Sequence, residues 1–184
     1  KKIGDDHLVY QTYSTIGMIN RHLGNLKESL VIYEKAIDVV EGSEPKYISA
    51  LQVYLNLGTL LEQLGERKHI IRAKELYEYA FEELEFFLEN NENEKHYLIL
   101  LATIINSLGK IYTLLDKHED AIKFQQEAYD KLVVLLGDKH EIVGICANNL
   151  GLAYAYNKDF EESLKYHKIV VFQNQYSDCN KRSK

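Results

Sequence analysis

Two copies of the string Asp-Lys-His-Glu, at 116–119 and 138–141, set an imidazole beside carboxylates and so carry the ligand types a divalent metal takes. The first copy is predicted at a turn inside a helix pair and the second at a linker between pairs. They then face different edges of the fold, and no metal site is expected. Carboxylate pairs suited to acid–base work are frequent only because glutamate is, and none stands in an apolar setting that would raise its pKa. There is no phosphate loop, nucleophile motif or dinucleotide fingerprint, so the chain is expected to be no enzyme and to need no cofactor. What remains is hydrogen bonding. Thr15, Asn56, Ser107 and Asn149 each precede a glycine by two residues. Such short hydroxyls and amides can bond the backbone of an extended peptide without reading its sequence, while flanking apolar groups supply selectivity.

Those glycines define the elements that must position the polar groups. Gly17, Gly58, Gly109 and Gly151 each follow a bulky aliphatic residue (Ile16, Leu57, Leu108, Leu150) and are spaced 41, 51 and 42 residues apart. A period of that length is one helix pair repeated. Within the pair, the glycine precedes a small residue on the second helix by 19 residues in three copies: Ala36, Ala128 and Val170. In the second copy the distance to Ala80 is 22, so three residues are read as an insertion at a turn, Glu66 to Ile70, and Glu89 to Lys95 as a polar linker. Glycine on one helix opposite Ala or Ser on the other removes Cβ bulk and lets antiparallel helices pack closely. One pair cannot bury its own stripe; stacking the pairs does.

Helices are predicted over 8–23, 26–41, 46–64, 68–89, 95–115, 118–136, 140–157 and 160–174. Pro45 suits the first turn of the third. Asn25 and Asp159 are placed as N-caps ahead of acidic first turns. From Glu78 to Glu94 seven glutamates interleave with apolar residues, which reads as a solvated face over a buried stripe.

The aliphatic-Gly, aromatic, small, aromatic, small order of positions resembles the tetratricopeptide repeat (TPR) family, over residues 10 to about 174. The period near 42 is longer than the usual ~34 and is similar to the kinesin light chain and Pins-type adaptor branch. Leu136-Gly137-Asp138-Lys139-His140 and Ile3-Gly4-Asp5-Asp6-His7 resemble that branch's linker before a first helix. The chain departs from the family in lacking a proline after any second helix and in having His167 and Val170 in the fourth repeat. The resemblance implies an all-α TPR superhelix of four helix-turn-helix repeats, over 8–43, 44–92, 93–137 and 138–174, forming a single array through 174 with a polar tail at 175–184. Lys1 to Asp5 reads as the end of an earlier helix and its linker, so the chain is expected to be a fragment of a longer protein.

In such arrays the first helices line a concave groove. Carried onto this sequence, the lining is Gln11, Ser14, Thr15, Met18 and Arg21; Gln52, Leu55, Asn56, Thr59 and Glu62; Thr103, Asn106, Ser107 and Lys110; and Ile145, Asn148, Asn149 and Leu152. Chaperone-tail-binding TPR domains carry basic clamp residues where this chain has Ser14, Thr103 and Ser107. Only Asn56 matches that clamp, so a chaperone carboxylate is not the expected ligand. The implied function is an adaptor that captures an extended peptide of a partner protein. The alternatives are a regulatory domain of a larger enzyme and a structural array that self-associates through its open repeat ends.

Composition excludes other classes. A net charge of −6, with its one basic cluster (Lys181, Arg182, Lys184) in the polar tail, argues against nucleic acid. Apolar residues recur at helical spacing, not by alternation. No run of about 18 apolar residues occurs, so no membrane insertion is expected. Two isolated cysteines, Cys146 and Cys179, make no disulfide framework and suggest a reducing compartment, the cytoplasm.

Overall fold

The computed structural model describes the backbone of residues 3–43, 48–89 and 95–181 and the side chains of 6–43, 48–89 and 95–172. Pro45, most of the 89–95 linker and the basic tail cluster lie outside the described side chains. Among the described residues are eight α-helices and no strand. They form two compact units, Lys1–Glu92 and Asn93–Lys184. The first holds α1 (Ile3–His22), α2 (Leu26–Glu41), a 3-10 turn (Ile48–Ala50), α3 (Leu51–Leu64) and α4 (Arg67–Glu89). The second holds α5 (Lys95–Leu114), α6 (His118–Leu136), α7 (Glu141–Tyr156) and α8 (Phe160–Lys181). In each unit successive helices pack on one another, and the two first helices, α1 with α3 and α5 with α7, also touch.

The marker glycines are where paired helices approach most closely. A Cβ on Gly17 would stand 2.9 Å from the Tyr33 ring, one on Gly58 2.5 Å from Tyr77, and one on Gly151 2.9 Å from His167. At Gly109 it would run into the Gln125 side chain and lie 3.1 and 3.2 Å from backbone atoms of α6. All four glycines are buried. In the first pair the small residue opposite adds a bond: the buried Ser29 hydroxyl donates to the Gly17 carbonyl at 2.7 Å.

Every pair closes on a left-handed residue seven positions after its marker glycine: Gly24 (φ 82°), Gly65 (73°), Asp116 (60°) and Lys158 (70°). Glycine takes this conformation freely, whereas a Cβ there costs about 1–2 kcal/mol, less for a short Asp. Lys158→Gly is therefore expected to stabilise the second unit. Part of the relieved strain is offset by the greater freedom of glycine in the unfolded chain, leaving about 0.5–1 kcal/mol. Asp116→Gly should give less. Urea unfolding of both variants checks this; a loss of stability at Lys158→Gly would contradict it.

Several boundaries differ from the sequence reading. The segment Ile3 to His7 is helical, not a linker, because Gly4 stays in the helix whereas Gly137 turns to φ 83° and ends α6. The insertion in the second pair is not a longer turn. Gly65 ends α3, α4 begins at Arg67, and the three residues become an extra turn of a 23-residue helix. Three residues are nearly one helical turn, and nothing between 66 and 70 breaks a helix, so the buried face realigns with Ile70, Ala73 and Tyr77 inward. Helix α8 runs to Lys181, through the segment read as a tail, since no Gly or Pro interrupts 160–181. Asn25 is at the N-cap of α2 but makes no capping bond, its amide pointing to Asn20 at 3.4 Å. His140 caps α7 instead, its Nδ1 accepting from the Ile142 amide at 3.2 Å. Finally, and against the expectation from the sequence, α5 is long and apolar enough to cross a membrane, with a mean hydropathy of 1.5. Its Leu101, Ile104, Ile105, Leu108 and Ile111 are buried, and it packs on α6 and α7.

Candidate functional site

In the first unit the exposed sides of α1 and α3 enclose a cleft of about 300 Å³. Six expected lining residues meet there: Gln11, Ser14, Thr15 and Met18 from α1, and Gln52 and Asn56 from α3. A hydrogen-bond chain crosses it. The Gln52 amide donates to Asn56 Oδ1 at 3.1 Å, and Asn56 Nδ2 donates to Ser14 Oγ at 3.0 Å. A carboxamide has two N–H donors and two carbonyl lone pairs, so Asn56 holds one of each in this chain and keeps one of each for a ligand.

The second unit repeats the arrangement. Asn149 Nδ2 donates to Asn106 Oδ1 at 3.3 Å. Asn149 and Asn56 both stand two before their marker glycine, and Asn106 and Ser14 both stand three before theirs. The amide of one pair thus bonds the polar group of the preceding pair at the same register in each unit. Asn148, half-buried, lies beside Asn149, and Ile145 and Leu152 are exposed next to them. Thr15, Thr59, Thr103 and Ser107 donate to carbonyls one turn back in their own helices, at 2.8–3.1 Å, which leaves their oxygens able to accept. Lys110 is exposed on the same side of α5.

Three expected lining residues point elsewhere. Leu55 is buried in the core of its unit and cannot anchor a ligand. Glu62 turns to its own pair, accepting from the Tyr77 hydroxyl at 2.6 Å. Arg21, at the same register as Glu62, lies by Tyr33: burial raises the Tyr33 pKa and the guanidinium opposes the rise. Two of the three charges read into a groove, Arg21 and Glu62, therefore sit toward their own second helices, while Lys110 stays exposed. The sequence reading missed Tyr10, Ser49 and Val53, which also line the cleft. Tyr10 and Ser49 share a hydrogen bond at 3.1 Å, and Ser49 is in the 3-10 turn, where the sequence predicts regular helix.

Cys146 lies in the core of its unit and not at the cleft. It is fully buried, its thiol faces the Gln125 carbonyl at 3.7 Å, and burial, with Asp130 adding to it, pushes its pKa up to about 12. The thiolate is the reactive form, so at neutral and mildly alkaline pH native Cys146 is expected to resist alkylation until the protein unfolds. Mass spectrometry of the Cys146 peptide reads this directly, and rapid labelling of the native protein would contradict it.

Four glycine-locked helix pairs with polar first-helix faces define a helical repeat protein. A tetratricopeptide repeat family model matches residues 8–82 and 100–168, and the chain belongs to that family. Among solved structures it is similar to BtubC (BKLC) from P. vanneervenii, 24% identical with a TM-score of 0.73 over 94% of this chain and 66% of that one. The chain thus spans just under two thirds of BtubC. It is also similar to a MamA RS-1 double mutant, 18% identical, TM-score 0.54, over 97% of this chain and 79% of that one. A point variant of kinesin light chain TPR-like repeats from Podosopora anserina is 12% identical, with a TM-score of 0.50 over 91% of this chain and 95% of that one. At these identities the likeness is one of fold. No curated protein matches the chain.

Proposed function

We propose that this chain is an adaptor module whose first-helix faces hold an extended segment of a partner protein. The TPR fold is in general a non-catalytic scaffold for protein–protein interaction, which is the class to which the chain is assigned. The observation that carries the finer reading is the repeated amide contact. Asn56 with Ser14, and Asn149 with Asn106, are orientated across successive pairs and retain a donor and an acceptor. An extended peptide backbone presents the complementary N–H and C=O groups. Met18 in the first unit and Ile145 and Leu152 in the second are exposed beside these amides and supply apolar contact. Charge contributes little to selection at the amides, because Arg21 and Glu62 lie against their own second helices and Lys110 is the one expected groove charge left exposed.

Peptide display against the folded chain tests the reading. Selected peptides are expected to shift the side-chain amide NMR signals of Asn56 or Asn149. Peptides that bind tightly and leave both amides unmoved would overturn it.

A further inference from the structure

The first and second pairs differ in charge at one register, four residues after the marker glycine. In the second pair Glu62 stands there, and its carboxylate accepts from the Tyr77 hydroxyl at 2.6 Å. Thr59, one residue after Gly58, comes within 3.4 Å of the same hydroxyl. Tyr77 is the ring that packs on Gly58, and its counterpart is Tyr33, the ring that packs on Gly17. Around Tyr33 the two register places hold Arg21 and Met18. A guanidinium carries donors only and a thioether is a weak acceptor, so Tyr33 lacks the acceptor that Tyr77 has. Accordingly the Tyr33 hydroxyl and the Arg21 Nε–H are both buried and make no hydrogen bond among the described residues.

Tyr33 is 0% exposed, and a buried donor left without an acceptor is destabilising. A carboxylate satisfies both donors at once. One oxygen accepts from the hydroxyl, as Glu62 does for Tyr77, and the other accepts from the guanidinium in the fork that arginine makes with carboxylates. Arg21 and Glu62 are both half-buried, which puts this register at the rim of the pair, within reach of a group from outside. The third and fourth pairs have no counterpart, since Thr113 and Ala155 stand in place of the charged residue.

We propose that Arg21 and Tyr33 form a carboxylate-binding site, filled by an aspartate or glutamate side chain of the partner protein, which supplies in trans what Glu62 supplies within the second pair. Both residues belong to one helix pair, α1 with α2, just as Glu62 and Tyr77 belong to α3 with α4. The site lies off the amide row, toward α2, and adds one charge-reading position to a face that otherwise offers hydrogen bonds and apolar contact. That the carboxylate arrives on an extended peptide rests on the adaptor reading; the site itself does not.

Two titrations followed by NMR test it. Sodium acetate, against sodium chloride at the same ionic strength, is expected to move the Arg21 Nε–H signal saturably, and the Tyr33 ring signals with it. Arg21→Glu copies the second pair: it should abolish the acetate response and raise the melting temperature, because Tyr33 then has its acceptor within the chain. Tyr33→Phe, which removes a hydroxyl that bonds nothing, should weaken the response without lowering stability. In the second titration, display-selected peptides that move the Arg21 signal are expected to carry an acidic residue whose replacement by the corresponding amide weakens binding about tenfold. An acetate response that is absent, equal to that of chloride, or kept in Arg21→Glu overturns the site, as does a stronger response to inorganic phosphate. Peptides that move the amides of Asn56 or Asn149 but never the Arg21 signal overturn the acidic partner and leave the adaptor reading standing. Peptides that move the Arg21 signal and neither amide do the reverse.

Discussion

Gly109→Leu should unfold the second unit at markedly lower temperature or urea than the parent chain. A Cβ there meets the Gln125 side chain, which could rotate away, but also backbone atoms of α6 at 3.1 and 3.2 Å, which cannot. The leucine therefore forces α5 and α6 apart along a buried contact, at a cost of about 2 kcal/mol or more. For a chain of this size that is a fall in melting temperature of roughly 4–8 °C. Gly109→Ala sharpens the test by its sign. In an exposed helix Gly to Ala gains about 0.5–1 kcal/mol, whereas here it is expected to destabilise. An unchanged melting temperature for the leucine variant would mean that the marker glycines do not set the approach of the pairs.

The second large effect is on binding. Asn56→Ala combined with Asn149→Ala should weaken a peptide selected against the folded chain by tenfold or more. Each neutral hydrogen bond contributes about 0.5–1.5 kcal/mol, and about 1.4 kcal/mol is a factor of ten in affinity. The single variants separate the two units, since Asn56 belongs to one and Asn149 to the other. Losing Asn56 also breaks its bonds to Gln52 and Ser14, so a small drop in melting temperature is expected with it. Glu85→Ala is the suitable control, as Glu85 is exposed on α4. Glu83 is less suitable, being half-buried and among the groups that raise the Tyr54 pKa. Calorimetry that found parental affinity in the double Asn variant and a loss in Glu85→Ala would move the site to the outer face.

The residues that were legible in advance are those whose role is local or repeats at fixed spacing. Gly17, Gly58, Gly109 and Gly151 could be found because close packing of two helices demands a missing Cβ once per pair, and four copies of one demand leave a period. Ser29, Ala36, Ala121 and Ala128 followed from the same demand on the opposite helix, and all are buried. The pair turns were also legible where Gly24 and Gly65 mark them, but Asp116 and Lys158 take the same left-handed conformation with no compositional signal.

The residue sequence by itself determined the helix pairs, their register and the side of each first helix that carries the amides, because 3.6-residue periodicity and the need for small residues at a contact act along the chain. Only the tertiary structure decided which of those polar groups are already engaged. Arg21 and Glu62 sit one turn beyond their marker glycines, at the edge between the outer face and the second helix. The buried Tyr77 hydroxyl holds Glu62 inward by a hydrogen bond, and Arg21 lies by the buried Tyr33. Asn56 reaches Ser14, and Asn149 reaches Asn106, across 42 and 43 residues of chain, a pairing fixed by how one helix pair stacks on the next. The same stacking turned three inserted residues into a helical turn of α4 instead of a loop, since an added turn keeps Ile70, Ala73 and Tyr77 buried while a loop would leave their apolar surface in water.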